Sequence, residues 1–272
     1  MVGKPISDSW ERGSPYERYI GRWSRRVAPQ FLAWLDAPAG RRWLDVGCGT
    51  GALSAAILDH CAPGAVVGVE PSEGFRTLAA SSLGTRATLL PGDAAALPLD
   101  DAAVDFTVCA LVLNFVPDLH AGLAEMVRVT APGGVVAAYV WDYAQGMEPI
   151  RLFWDAAAAL DPAAAQLHEG RRFPLCNPAA LEAAFADAGL GEVAVTAIDT
   201  PARFDGFDDY WLPFLGGQGP APAYAMSLPE GDRVRLRESL RDSLATAADG
   251  SLTLMARAWA VRGAKPTAAP GY

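Results

Sequence analysis

The sequence predicts an α/β fold built on a doubly wound, Rossmann-like parallel sheet. From residue 42 onward, apolar strand patterns alternate with helical patterns, and the loops between them are short. A glycine-spaced turn follows the first strand pattern, and a helical pattern begins directly after it. Alternating units of this kind give parallel strands, because each crossover helix returns the chain to the same end of the sheet.

Helical patterns come before the first strand. Residues 14–17 read Ser-Pro-Tyr-Glu, a capping box with proline at the first helical position. Pro29 predicts the start of a second short helix that ends near Leu35. We expect residues 1–40 to form a helical lid.

Seven strand patterns follow along the chain. Pro132-Gly133-Gly134 predicts the end of the helix after the fourth strand and the turn into the fifth. Asn177-Pro178 predicts a helix start, and Gly189 predicts its end. The predicted strands are 42–46, 65–70, 86–90, 104–110, 134–141, 191–199 and 252–261.

The segment between the last two strands is too long for a hairpin loop. We therefore expect residues 201–250 to be an inserted cap that contributes to a substrate site. The core then comprises residues 41–200 and 251–264, and residues 265–272 form a tail.

Composition excludes several functions. The chain has 272 residues and a formal net charge of −9, so an extended phosphate backbone is a poor partner and no nucleic acid is expected. Its lysines are Lys4 and Lys265, both near the termini. This excludes a Walker lysine, a Schiff-base lysine and the tyrosine–lysine pair of short-chain dehydrogenases.

The cysteine, histidine and hydropathy patterns bear on disulfides, metal sites and cellular location. The four cysteines show no CxxC spacing and predict free thiols, and the three histidines show no metal-ligand spacing, so no metal is expected. The chain has no apolar N-terminal segment and no run of about 18 apolar residues. We expect a cytoplasmic protein without a membrane partner, either a monomer or a homodimer.

The glycine-spaced turn indicates a nucleotide-type cofactor. Glycines let the backbone approach a ligand closely, and the N-terminus of the following helix offers unpaired N–H groups. Gly47, Gly49 and Ala52 also satisfy the G-x-G-x-x-G/A form of nicotinamide enzymes, so the turn alone leaves the cofactor open. Glu70 ends the second strand, where it can accept from ribose hydroxyls in either class, and Asp93 follows the third strand.

Five motifs in order resemble the class I S-adenosylmethionine-dependent methyltransferases, in particular the small-molecule group that includes ubiquinone and menaquinone C-methyltransferases. Together they cover about residues 41–142. The motifs are LDVGCGTG (44–51), VVGVEPS (66–72), GDAAALPLDDAAVDF (92–106), LVLNFVPD (111–118) and RVTAPGGVV (128–136). The resemblance implies S-adenosylmethionine as cofactor, S-adenosylhomocysteine as product, and a seven-stranded sheet whose last strand, residues 252–262, is antiparallel.

The resemblance also implies cofactor contacts at the carboxyl ends of the strands. Glu70 would hold the ribose, Asp93 would face the adenine edge, and Asp45 would reach the methionine amine. The implied residues are Asp45, Gly47, Cys48, Gly49, Glu70, Pro71, Ser72, Asp93, Ala94, Ala110 and Leu111.

Related enzymes use an aromatic residue or an arginine of an N-terminal helix to close over the cofactor. We expect Tyr19 and Arg22 in that role, with Arg22 pairing with the methionine carboxylate. Trp23 would face the sulfonium, because a cation over an aromatic ring is favoured. The alternative is that Tyr16, Tyr19 and Trp23 form the core face of the helix.

Catalytic and substrate residues are less defined. Many relatives carry histidine after the fourth strand where this chain has Asn114-Phe115, so a histidine base cannot be carried over. The candidates for catalysis are His168, Asn114 and Tyr143. The candidates for an apolar substrate pocket, which would equally suit a plain core, are Trp23, Trp141, Trp154, Tyr210 and Trp211.

The predicted function is methyl transfer to a small, apolar or aromatic metabolite by in-line displacement. One alternative is a protein of the same fold that binds the cofactor without methyl transfer. The other is a nicotinamide oxidoreductase, which shares the glycine turn and Glu70 but leaves Asp93 unexplained.

Overall fold

The computed structural model describes residues 21–216 and 219–267, and its centre is a seven-stranded sheet in the order β3-β2-β1-β4-β5-β7-β6. Strands β1 to β5 run parallel to one another, and β7 runs antiparallel to β5. The predicted doubly wound sheet with an antiparallel last strand is confirmed. The strands are β1 Arg42–Val46, β2 Ala65–Val69, β3 Thr88–Leu90, β4 Val104–Ala110, β5 Thr130–Trp141, β6 Gly191–Phe204 and β7 Leu252–Ala264.

Helices connect these strands. The α-helices are α1 Arg22–Leu35, α2 Ala52–His60, α3 Glu73–Leu83, α4 Leu119–Val129, α5 Glu148–Leu160, α6 Glu169–Arg172, α7 Pro178–Asp187, α8 Phe207–Trp211, α9 Pro220–Ser227 and α10 Glu230–Ser243. Short 3-10 helices span Gly84–Arg86, Leu113–Phe115, Pro162–Gln166 and Leu212–Gly216. No described helix combines the length and the apolar composition needed to cross a membrane.

The predicted second helix starting at Pro29 is wrong. Helix α1 runs without a break from Arg22 to Leu35 with Pro29 inside it. The missing proline N–H is tolerated because Phe31 and its apolar neighbours are fully buried, and Phe31 packs edge-on against Tyr139 of β5 at 4.9 Å. The Gln30 side chain also donates to the Arg26 carbonyl. The helix predicted from residue 14 begins outside the described residues.

The predicted turn at residues 132–134 lies inside β5 and does not end a helix. Helix α4 ends at Val129, and β5 begins at Thr130. Gly133 has φ +76°, and the pairing between β4 and β5 shifts register next to it. The glycines therefore lie in an irregular part of the strand, between Thr130, which pairs with Val104, and Val135, which pairs with Phe106.

Other boundaries follow the sequence closely. Both ends of β1 and of β4 are as predicted. The third strand is shorter than predicted, because Gly84–Arg86 form a 3-10 turn before it. Asn177 caps α7 by accepting from the Ala180 N–H, and Gly189 follows the helix with φ +79°.

The described chain divides into two compact units. The first unit comprises residues 24–141, 175–198 and 258–267, and the second comprises residues 21–23, 142–174, 199–216 and 219–257. Residues 142–174, which the predicted boundaries assigned to the core, therefore group with most of the predicted cap.

Candidate functional site

The carboxyl ends of β1, β2, β3 and β4 lie at one edge of the sheet. Val46 pairs with both Val69 and Cys109, and Val69 pairs with Leu90. The glycine turn, Glu70, Asp93 and Leu111 follow these strands directly or within a few residues. We call this part of the first unit the carboxyl edge.

The glycine turn holds a backbone that side chains would obstruct. Gly47, Gly49 and Gly51 have φ values of +68°, +55° and +86°. A Cβ at Gly47 would lie 2.8 Å from both γ-carbons of Val112. The Gly47 and Cys48 N–H groups both donate to the Val69 carbonyl, at 2.8 and 3.1 Å. The turn is therefore anchored to the end of β2 and requires glycine for both space and conformation.

Glu70 is fixed by backbone donors on both carboxylate oxygens. Oε2 accepts from the Gly49 N–H at 3.0 Å, and Oε1 accepts from the Ser72 N–H at 2.9 Å. Burial raises the pKa of Glu70, and these two hydrogen bonds and the Arg76 charge oppose that rise. Arg76 also donates to the carbonyls of Glu70 and Pro71. The carboxylate is held in one position with lone pairs left for a ligand.

Asp45 is fully buried at the end of β1. Its Oδ2 accepts from the Ser54 hydroxyl at 2.7 Å, while its Oδ1 has no hydrogen-bond partner among the residues that the structure describes. Burial raises the pKa of Asp45 to about 7, against the opposing effect of the Ser54 hydrogen bonds, and the Glu70 charge adds to the rise. An unpaired buried acceptor of this kind suits a ligand that brings a donor or a positive charge.

Asp93 follows β3 and is exposed. Its Oδ1 accepts from the Ala95 N–H at 2.9 Å, so the side chain is partly engaged in its own turn. Ala94 beside it is half-buried. The structure thus brings Asp45, Glu70 and Asp93 to the ends of three adjacent strands.

The exit of β4 carries two features that the sequence did not reveal. Leu111 has φ +60°, a left-handed conformation that is rare for leucine, and its N–H donates to the Tyr139 carbonyl at 2.8 Å. Asn114 has both amide atoms buried without a hydrogen-bond partner in the described part of the chain. Backbone strain and unpaired polar groups both concentrate at ligand sites.

Arg22 and Trp23 have protein partners in the second unit. Arg22 pairs with Asp209 at 3.0 Å, and its guanidinium lies over the rings of Trp23 and Phe204 at 4.4 and 4.7 Å. Trp23 is only 2% exposed. The carboxylate beside Arg22 is that of Asp209, and the cation over Trp23 is the guanidinium of Arg22. Both groups belong to the protein and not to a ligand. Their predicted roles toward the cofactor stay predictions, and Tyr16 and Tyr19 lie outside the described residues.

The aromatic residues predicted for a substrate pocket are buried in packed cores. Trp141 lies in the first unit, and Trp154, Tyr210 and Trp211 lie in the second; none of the four is more than 3% exposed. The Tyr210 hydroxyl donates to the Pro149 carbonyl at 3.0 Å, and the Trp154 indole N–H donates to Glu169. The contacts of Tyr210 and Trp154 agree with the core alternative, whereas the Trp141 indole N–H has no partner among the described residues.

The remaining catalytic candidates also have contacts of their own. His168 Nδ1 accepts from the Gly170 N–H at 2.9 Å and caps α6, and burial lowers the pKa of this histidine. Tyr143 is buried and packs against Phe173 with ring centroids 5.7 Å apart. The Nδ1 lone pair of His168 is therefore already used within the protein. All four cysteines are free thiols, as predicted.

A family model described as "Methyltransferase domain" matches residues 44–138, the stretch that contains the glycine turn, Glu70 and Asp93. Residues 44–138 are therefore similar to a methyltransferase domain. The match supports S-adenosylmethionine as the cofactor. The residues at the carboxyl edge fit that group: the Cβ position of Gly49 is open, Glu70 offers a fixed carboxylate, and Asp45 Oδ1 has no partner among the described residues.

The chain is similar over part of its length to two named methyltransferases. The chain is 39% identical over 110 residues to a demethylmenaquinone methyltransferase of Shouchella clausii, covering 38% of this chain and 46% of the relative. It is 36% identical over 112 residues to a malonyl-[acyl-carrier protein] O-methyltransferase of Serratia marcescens, covering 41% of this chain and 43% of the relative. The chain thus spans less than half the length of each relative.

The fold of the whole chain is similar to that of solved methyltransferases. One is phosphoethanolamine N-methyltransferase 2 of Haemonchus contortus in complex with S-adenosyl-L-methionine, with a TM-score of 0.57 and 16% identity, covering 98% of this chain and 61% of that one. At this identity the likeness concerns the fold alone.

Proposed function

We propose that this protein transfers a methyl group from S-adenosylmethionine to a small, apolar or aromatic molecule. The observation that carries the proposal is the hydrogen bond from the Gly49 N–H to the Glu70 carboxylate, inside the segment that matches the methyltransferase family. It joins the two elements that must act together on an adenosyl ligand, the glycine turn and the acidic residue after β2.

Each acidic residue at the carboxyl edge would bind a different part of the cofactor. Glu70 would accept from the ribose hydroxyls, and Asp93 would accept from the adenine amine. Asp45 would meet the methionine ammonium, directly or through water, with the Oδ1 that has no partner among the described residues. The cofactor supplies an electrophilic methyl group bound to a positively charged sulfur.

The chain's own contribution to the reaction is alignment and exclusion of water. In the transfer, a lone pair on the acceptor would form the new bond to the methyl carbon, and the electron pair of the C–S bond would stay on sulfur. Holding the two reactants in line can contribute roughly 7–11 kcal/mol in the best-oriented cases. Because Asn114 cannot take up a proton at neutral pH, an acidic acceptor would lose its proton to solvent.

The names of the two relatives bear on the class of acceptor. The relative from Shouchella clausii is named for an aromatic acceptor, demethylmenaquinone. The relative from Serratia marcescens is named for a malonyl group on a carrier protein, which is a different acceptor.

A transfer assay with labelled cofactor tests the proposal. The protein is incubated with S-adenosyl-[methyl-³H]methionine and a panel of phenols, hydroxyquinones and aromatic amines, and tritium extracted into organic solvent is counted. We expect label in at least one acceptor class, and its loss in Glu70→Gln. Tight cofactor binding without label in any acceptor would favour the non-methylating alternative, and no cofactor binding by a folded protein would overturn the proposal.

A further inference from the structure

Buried polar atoms without partners concentrate at the carboxyl edge. Six such side-chain atoms occur in the described part of the chain. Four of them belong to three residues that end, or follow, β1, β4 and β5: Asp45 Oδ1, Asn114 Nδ2, Asn114 Oδ1 and Trp141 Nε1. Proteins normally pair buried polar groups, so this concentration indicates partners that a ligand supplies.

Asn114 and Trp141 stand at the exits of two adjacent strands. Ala110 pairs with Tyr139, and the Leu111 N–H donates to the Tyr139 carbonyl at 2.8 Å. Asn114 lies three residues beyond Leu111, and Trp141 lies two residues beyond Tyr139. Both residues therefore leave the sheet at the same edge of the first unit.

The same edge includes the glycine turn. Val112, between Leu111 and Asn114, has both γ-carbons 2.8 Å from the position of a Cβ at Gly47. Across the sheet Asp45 pairs with Val108 and Val108 with Ala137. Because side chains alternate along a strand, Asp45 and Trp141 lie on one face of the sheet. The unpaired groups thus border the region assigned to the cofactor.

We infer that Asn114 and Trp141 bind an oxygen atom of the methyl acceptor, and this inference rests on the proposed function. Together the two side chains offer three N–H hydrogens as hydrogen-bond donors and one oxygen, Asn114 Oδ1, as a hydrogen-bond acceptor. That balance favours an acceptor molecule with a carbonyl, phenolate or enolate oxygen over one with an ammonium group. Asn114 Oδ1 remains available for a hydroxyl on the same molecule.

The donors also define what the site does to such an acceptor. N–H groups aimed at an oxygen stabilise its ionised form more than its neutral form, because charge-assisted hydrogen bonds are the stronger ones. The site therefore lowers the pKa of a bound phenol or enol. The methyl acceptor is then bound as a nucleophilic phenolate or enolate, and no side chain is needed to remove its proton.

The probe for this inference is 4-nitrophenol, whose phenolate absorbs visible light. It is titrated into protein saturated with S-adenosylhomocysteine, near the pH at which half of the free phenol is ionised. We expect saturable binding with an increase in phenolate absorbance. Trp141→Phe and Asn114→Leu each weaken binding about tenfold, the effect of losing one hydrogen bond to a charged oxygen.

Two further variants sharpen the test. Asn114→Asp keeps the shape of the side chain but replaces N–H donors by a negative charge, so it abolishes phenolate binding and does not improve it at any pH. Trp43→Phe is the matched control, because it removes an indole N–H that is buried and unpaired among the described residues but lies near the start of β1. We expect Trp43→Phe to bind 4-nitrophenol within twofold of wild type.

A second measurement needs no acceptor. If a ligand supplies the hydrogen-bond partners of the Asn114 amide, the ligand-free Asn114→Leu variant should unfold at a higher urea concentration than wild type. A buried amide without partners destabilises the folded state. A lower midpoint for Asn114→Leu would show a structural role and overturn the inference. The inference would also be overturned if 4-nitrophenol showed no saturable binding, if all variants bound it equally, or if the wild-type protein bound phenethylamine more tightly than 4-nitrophenol. Binding of S-adenosylhomocysteine, measured first, separates failure of this inference from failure of the proposed function.

Discussion

Gly49 donates its backbone N–H to Oε2 of Glu70 at 3.0 Å, which fastens the glycine turn after β1 to the end of β2. The other carboxylate oxygen of Glu70 is held by the Ser72 N–H at 2.9 Å. The carboxylate therefore orders two loops and keeps lone pairs for a ligand. A change at Glu70 alters both the shape of the turn and the ligand contact.

Glu70→Gln tests that double role. The amide presents one acceptor where two backbone N–H groups now donate, so one of these contacts is lost. We expect the Kd for S-adenosylmethionine to rise at least about tenfold, the effect of one lost charge-assisted hydrogen bond. Equilibrium dialysis with labelled cofactor measures it. Glu182→Gln, at an exposed position on α7, is the matched control and should leave the Kd unchanged; equal affinities for all three proteins would contradict the role of Glu70.

Asp45 makes stability depend on pH. Burial raises its pKa to about 7 from an ordinary value of 3.8, so folding favours the protonated carboxyl. Its contribution is fully present below about pH 4 and is lost as the pH rises toward 7, with a slope of up to about 1.4 kcal/mol per pH unit. Urea unfolding from pH 4.5 to 8 should show the stability of wild type falling relative to Asp45→Asn up to about pH 7.

The Ser54 hydroxyl offers a control for the origin of that slope. Its hydrogen bond to Asp45 favours the carboxylate, so Ser54→Ala should raise the pKa further and extend the falling range to higher pH. A constant difference between wild type and Asp45→Asn across the whole range would show that Asp45 does not titrate with folding.

Gly47→Ala tests the space at the glycine turn. The new methyl group would meet both γ-carbons of Val112 at 2.8 Å and would sit at φ +68°. We expect a loss of about 2–3 kcal/mol of stability, from left-handed strain and overpacking together, along with weaker cofactor binding. Gly40→Ala also has a positive φ but has nothing within 4 Å of the new Cβ, so it should lose only about 1 kcal/mol.

Val112→Ala provides the rescue for that variant. Removing the two γ-carbons relieves the clash, so Gly47→Ala combined with Val112→Ala should be more stable than the sum of the single changes predicts. Additive losses in chemical denaturation would mean that the two residues are not in contact.

Lys265 should contribute to stability without affecting the ligand site. Its Nζ donates to the carbonyls of Val127 and Thr130 at 2.8 Å each, at the end of α4. Lys265→Met removes these charge-assisted bonds and the favourable interaction with the helix dipole, and should cost about 1–2 kcal/mol. Thermal unfolding measures the loss, and a large change in cofactor affinity would contradict the separation of this contact from the site.

The sequence predicted the sheet because its signals are local. The run from Arg42 to Val46 ends in a glycine turn, and the run from Val104 to Ala110 alternates apolar with polar residues before it ends in apolar ones, so both strands match their predicted ends. The acidic residues Asp45, Glu70 and Asp93 were placed correctly at strand ends, because parallel strands bring their carboxyl ends together.

The features that the sequence did not predict depend on tertiary contacts. Pro29 by itself predicts the start of a helix, yet burial of the residues around it keeps α1 continuous across this position. Leucine gives no local signal for the left-handed conformation at Leu111, and nothing local shows that Asn114 lacks a partner among the described residues. The contact of Arg22 with Asp209 joins positions 187 residues apart and could not be read from spacing.

Isothermal titration calorimetry of the folded protein with S-adenosylhomocysteine, and separately with reduced nicotinamide adenine dinucleotide, distinguishes the two cofactors that the glycine turn could bind. We expect one saturable site for S-adenosylhomocysteine and no saturable heat for the nicotinamide. Heat only with the nicotinamide, or no heat with either compound while circular dichroism shows a folded protein, would overturn the assignment of S-adenosylmethionine.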